Sequence, residues 1–257
     1  MSEFIKKGSV ILPRPEGLDY TLENERVYNL KYDNWSEFAF LEIDGKLEFE
    51  GKVYSTEKDT KLFNRILTYF NNTDKNNVGV MFKGTKGSGK TLTAKRLAIA
   101  SKLPIIIVNS DFPARKLNDF FTKFKQEVCV IFDEVEKNQR FWPTEQLIGF
   151  LDGIQHTSKK LVLLTCNEDK DVTEYMKDRC SRIRYYIEYK SVREDMIRQI
   201  IDDIIPDRED KNEIVEFVIN KFSVCSYDNV ISFAEEVKDC PDEDLTEIVD
   251  RLNINMK

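Results

Sequence analysis

The segment MFKGTKGSGKTLTAKRL, residues 81–97, constrains this chain more than any other. Gly84-Thr85-Lys86-Gly87-Ser88-Gly89-Lys90-Thr91 fits the pattern G-x-x-x-x-G-K-S/T in full. It follows the apolar run VGVMFKG and opens KTLTAKRLAIAS, a stretch of good helix formers, so a strand, a tight loop and a helix are expected in that order. Glycines let successive backbone N–H groups curl toward one point at the positive end of a helix dipole, which is how a loop holds phosphate oxygens. In such a loop Lys90 reaches the β and γ phosphates, and Thr91 offers its hydroxyl to Mg²⁺. A bare glycine-rich turn capping a helix would need neither the lysine nor the hydroxyl.

The surrounding pattern repeats the same alternation. Between residues 77 and 189 the runs VGVMFKG, PIIIVNS, VCVIFDE, LVLLTCN and IRYYIEY are separated by the helical patterns KTLTAKRLAIAS, ARKLNDFFTKFKQ and PTEQLIGFLDGI. The first four runs are nearly all apolar, as strands covered on both faces are, and the alternation means an α/β fold with a parallel sheet. Residues 1–76 read as a strand-rich region, with a hairpin expected around the Asp-Gly of FAFLEIDGKLEFEGKVYS and a leading amphipathic helix in TKLFNRILTYFNN. From residue 190 to 257 four helical patterns follow one another, punctuated by Pro206 and Pro241, and read as a small helical domain.

Two acids end the run VCVIFDE. Asp133 is placed to hold Mg²⁺ through its water shell, and Glu134 to polarise an attacking water. An acid directly after the metal-binding Asp points to hydrolysis. The Asn-Lys-x-Asp base-recognition segment of a GTPase is absent from the sequence. Asn167 ends LVLLTCN, where its amide orients a water without titrating. Arg179 and Arg182, three residues apart before IRYYIEY, present the group that stabilises a phosphoryl transition state in trans.

Gly84–Thr91, Val128–Glu134, Asn167 and Arg179/Arg182, in that order, resemble an AAA ATPase of the AAA+ superfamily, and FLDGI resembles a helix seen there in many members. The compact layout resembles small stand-alone ATPases of phage and bacterial genomes. The resemblance covers residues 77–189. It implies a five-stranded α/β core with a C-terminal helical lid, ATP and Mg²⁺ as ligands, and a homo-hexameric ring with nucleotide between neighbours. It also implies Asn167 as sensor and Arg179 and Arg182 as fingers reaching the next subunit. Three departures stand out. Arg179-Cys180-Ser181-Arg182 replaces the Arg-Pro-Gly-Arg of many members, and SYDNVISFAEEV has no second-sensor arginine. The segment after PIIIVNS offers only Phe112 as a pore-loop aromatic. Phe112 either projects into a ring channel or packs beside Leu117, Phe120 and Phe121.

Three functional readings remain at this point. One is a ring motor that remodels or translocates a macromolecular client, with protein favoured. Another is a DNA-engaging ATPase of clamp-loader or replication type, which "DRC" favours. The third is a static nucleotide switch, against which the Asp133-Glu134-Asn167 set argues. The net charge of −7 gives no help to indiscriminate nucleic-acid binding. Five scattered cysteines without a CxxC pair, and a single histidine (His156), argue against zinc and for a reduced, cytoplasmic protein.

Overall fold

Apolar runs that recur between helical patterns become strands when each buries both faces in one sheet. The computed structural model describes residues 4–13, 20–49, 51–74, 77–109, 111–138, 144–153, 158–167 and 180–257. In chain order come β1 (Phe4–Lys7), β2 (Val10–Pro13), β3 (Val27–Asp33), β4 (Phe38–Gly45) and α1 (Glu57–Asn72). Then follow β5 (Asn77–Gly84), α2 (Lys90–Ser101), β6 (Ile105–Val108), α3 (Leu117–Phe121), β7 (Val128–Phe132), α4 (Thr144–Asp152), β8 (Lys160–Cys166) and β9 (Ile183–Tyr189). The last four elements are helices α5 (Glu194–Ile204), α6 (Lys211–Lys221), α7 (Tyr227–Asp239) and α8 (Leu245–Arg251). Among the described residues no helix is long and apolar enough to cross a membrane.

The chain divides into two compact units. The first comprises Met1–Phe49, Phe63–Lys83 and Thr91–Glu188, the second Glu50–Leu62, Gly84–Lys90 and Tyr189–Lys257.

One sheet organises the first unit. Among the described residues its nine strands run in the order β1-β2-β4-β3-β6-β7-β8-β5-β9. The expected five strands are the contiguous half β6-β7-β8-β5-β9, but the sheet does not stop there. β3 pairs parallel to β6, from Val27 opposite Ile105 to Leu30 opposite Val108, and β4, β2 and β1 continue it antiparallel. The N-terminal strands therefore belong to the same sheet as the core. The physical reason is the edge: a four-residue apolar β6 would otherwise leave a row of unpaired N–H and C=O groups. The hairpin also differs from expectation. Its turn is residues 34–37 between β3 and β4, with Glu37 at φ 51°, while Asp44 and Gly45 only end β4.

Burial follows the sheet. β7 and β8 are buried along their whole length, whereas β9 alternates from Ile183 onward, as an edge strand does. The core collects aromatic rings, with Phe120, Phe121 and Phe124 packed edge-to-face or tilted at centroid separations of 5.3–5.4 Å and Phe150 reaching both Phe121 and Phe132. Phe112 belongs to this cluster. It is fully buried, with its ring 6.0 Å from Tyr32 and 6.5 Å from Phe120. The pore-loop expectation for Phe112 is corrected here: the ring packs into the core.

Lys160, at the start of β8, is also fully buried. Its ammonium donates to the Ser158 carbonyl at 2.9 Å and lies 5.9 Å from the Phe121 ring centroid. Burial pulls its pKa from 10.5 down to about 7. Between those two values the unfolded chain carries a proton that the folded chain does not, so stability rises with pH across that window. Below about pH 7 both states are protonated and the full penalty stands. Lys160→Met should therefore be more stable than wild type at pH 6, by on the order of a few kcal/mol, with the advantage shrinking as pH approaches 10. Denaturant unfolding of both proteins from pH 6 to pH 9.5 checks this. A difference that does not change with pH would contradict it.

In the second unit α5–α8 pack around Ile200, Ile214, Val218, Phe222, Phe233 and Ile248. The segment 50–62 is tied to α5 by side chains. Tyr54 Oη donates to Asp203 at 2.9 Å, and Lys52 pairs with the same carboxylate. Burial and the Asp203 bond push the Tyr54 phenol up to about 12. Arg193, at the N-terminus of α5, bonds Asp59 at 3.3 Å and also donates to Thr56.

Candidate functional site: a phosphate-type loop and a pair of strand-end acids

The glycine-rich loop lies in the second unit. Gly84 ends β5, and a Cβ there would stand 1.9 Å from the Tyr189 carbonyl oxygen, a contact only glycine permits. Gly89 has φ +87°, and a Cβ would meet the Tyr227 ring at 2.6 Å. The loop is held by backbone bonds: Thr85 N–H donates to Tyr189 O at 3.3 Å, and Tyr227 N–H to Gly87 O at 2.9 Å. Lys86 is exposed on the loop. Lys90 is 5 % exposed and donates to Thr85 O at 2.6 Å, which keeps its ammonium over the loop. Ser88 is buried, and its hydroxyl has no hydrogen-bond partner among the described residues. Helix α2 begins at Lys90 and has no acidic residue in its first turn. A positive helix end with no acidic residue of its own, a lysine and an unanswered buried hydroxyl form a donor set that fits a polyphosphate.

The acids lie in the first unit, past the end of β7. Asp133 Oδ1 accepts two hydroxyls, from Thr91 at 2.9 Å and from Thr165 at 2.6 Å. Glu134 sits in the left-handed region at φ 49°, a placement that costs about 1–3 kcal/mol in a non-glycine residue. Its N–H donates to Thr165 Oγ1 at 2.8 Å. Asn167 Nδ2 donates to Glu134 Oε1 at 3.0 Å and to Glu136 Oε1 at 2.6 Å. Lys137 pairs with Glu134 Oε2 at 2.5 Å, and that bond raises the lysine's pKa above its usual value. Asp133, Glu134 and Asn167 are thus brought together, as their order in the sequence implies. Among the described residues no group of three or more His, Cys, Asp or Glu forms a cage for a metal. One carboxylate with one hydroxyl suits Mg²⁺, which keeps several waters and takes its remaining ligands from phosphates.

The arginines differ from expectation. Arg179 lies outside the described residues. Arg182 is not free to reach a neighbour: Nε and Nη2 form a bidentate pair with Asp152 at 2.8 and 3.0 Å. Its side chain is only 14 % exposed, so it anchors the start of β9 to the end of α4 within its own chain. A guanidinium fork matches a carboxylate two-on-two, and Asp152 supplies that match.

Sequence reasoning missed Thr165, Glu136, Lys137, Tyr227 and Asp152 as neighbours of the site residues. Only Thr165 left a trace, as a polar residue following the apolar run Leu161–Leu164; the rest are ordinary surface types by sequence.

A comparison with curated proteins found no match. Residues 80–189 match the family model described as "ATPase family associated with various cellular activities (AAA)". The match runs from within β5 to the last residue of β9, so this stretch of the chain is similar to the AAA ATPase domain.

Proposed function

We propose that the chain binds ATP with Mg²⁺, hydrolyses it, and works as a ring of identical copies that remodels or translocates a macromolecular client, a protein rather than DNA. The observation that carries the ATPase reading is the division of labour between the two acids. Asp133 is held by hydroxyls from Thr91 and Thr165, while Glu134 is held by the Asn167 amide and its own N–H. An acid that takes hydroxyl donors suits a metal's water shell, and an acid oriented by an amide suits proton abstraction from water.

In this reading Gly84–Lys90 binds the phosphates through backbone N–H groups, and Lys90 adds the positive charge aimed at the β and γ positions. Thr91 directly and Asp133 through water would hold Mg²⁺, which would supply charge neutralisation at the phosphoryl oxygens. Glu134 takes the proton of the lytic water, and Asn167 keeps the carboxylate aimed. Arg179 serves the neighbouring copy's site, Arg182 being committed to Asp152. The net charge of −7 supports a protein client over the phosphate backbone of DNA.

Purified protein should turn ATP over with Mg²⁺ and lose the activity in EDTA. Sedimentation with a slowly hydrolysed ATP analogue should give an assembly larger than the nucleotide-free chain. A monomer in both states would sink the ring, and absence of Mg²⁺-dependent turnover would sink the ATPase.

A further inference from the structure

We propose that Thr165 is a positioning residue for hydrolysis, one hydroxyl that sets the metal-side acid and the base together. The inference rests on the ATPase reading above and adds a residue to it.

Thr165 is fully buried in β8, next to the apolar residues Leu161–Leu164. A hydroxyl in such a strand is costly unless its hydrogen bonds are made. Here both are made, and their directions are unambiguous. An ionised carboxylate only accepts, so Thr165 donates its proton to Asp133 Oδ1 at 2.6 Å. A backbone amide only donates, so Thr165 accepts from Glu134 N–H at 2.8 Å. The parallel register explains why this residue meets both. Phe132 pairs with Leu164, and the residues that follow them in the chain are Asp133 and Thr165.

Two consequences follow from this placement. The N–H that Thr165 accepts belongs to Glu134 in its left-handed conformation at φ 49°, so the bond fixes the direction in which that side chain leaves the backbone. The hydroxyl also shares Asp133 Oδ1 with Thr91, which leaves the metal-side hydroxyl and the strand-side hydroxyl balanced on one oxygen. Threonine suits the position because a β-branched side chain in a strand has few χ1 choices. Asn167, two residues on, orients Glu134 from its carboxylate end. The end of β8 thus grips the base at both its backbone and its side chain.

Thr165→Val keeps the shape and removes the hydroxyl; Thr165→Ser keeps the hydroxyl. With Thr165→Val, ATP affinity measured by titration should stay within about three-fold of wild type. Its kcat should fall about 10- to 100-fold, and the Mg²⁺ concentration for half-maximal turnover should rise, as for loss of a residue that holds a metal ligand. Thr165→Ser should return kcat to within a few-fold of wild type. Unchanged kcat and Mg²⁺ dependence in Thr165→Val would overturn the inference. A loss of ten-fold or more in Thr165→Ser would do the same, and that result decides even if Thr165→Val fails to fold. Absence of turnover in wild type would instead strike the ATPase reading and this inference together.

Discussion

Glu134→Gln should bind ATP and fail to hydrolyse it, with kcat lower by about 10²- to 10⁴-fold, the range for loss of a positioned general base. The substitution conserves shape, so Asn167 keeps an acceptor at Oε1, and the backbone bond to Thr165 is untouched. What disappears is the second carboxylate oxygen, now engaged by Lys137, and with it the group that takes a proton. Lys90→Ala should behave in the opposite way. It removes a nearly buried ammonium whose proposed role is phosphate contact, and charge-assisted bonds of this kind are worth about 1.5–3 kcal/mol, or about 10- to 100-fold in affinity. Isothermal titration with ATP beside a turnover assay separates the two variants. Equal loss of binding in both would contradict the roles assigned to them.

Phe112→Ala should be among the most destabilising single substitutions in the first unit. Truncating a fully buried phenylalanine costs about 3–5 kcal/mol, and the cavity left here would be lined by Tyr32 and Phe120, which lose edge contacts. For a chain of this size each kcal/mol lowers the melting temperature by about 2–4 °C, so a fall of roughly 10 °C is expected by calorimetry. ATP turnover per folded molecule at low temperature should stay near wild type, because Phe112 packs its ring against Tyr32 and Phe120, neither of which holds Asp133 or Glu134. A melting temperature close to wild type would return Phe112 to the surface and reopen the channel-facing reading.

Much of the candidate site's backbone geometry was legible in the sequence because its demands are local. A loop that wraps phosphates needs glycines at fixed spacing, and Gly84 and Gly89 occupy positions a Cβ cannot share. Asp133 and Glu134 are read from the end of a fully apolar strand, since a buried strand turns polar where it leaves the sheet. The four C-terminal helices follow from period alone, and all four appear with boundaries near the patterns that announce them.

What the tertiary structure alone decided concerns partners far apart in the chain. The pairing of β3 with β6 is made by backbone hydrogen bonds, which carry no side-chain signature, so nothing in VYNLKYD announces that the N-terminal strands extend the core sheet. Phe112 is core because that same pairing brings Tyr32 to it. Arg182 looks like a free cation until the fold places Asp152 beside it, thirty residues earlier in the chain. Thr165 reads as one polar residue in a strand until parallel register sets it opposite Asp133. Local chemistry is written into short segments because the backbone must adopt it there. The choice among distant partners depends on which strand lies next to which, and that is settled only when the whole sheet forms.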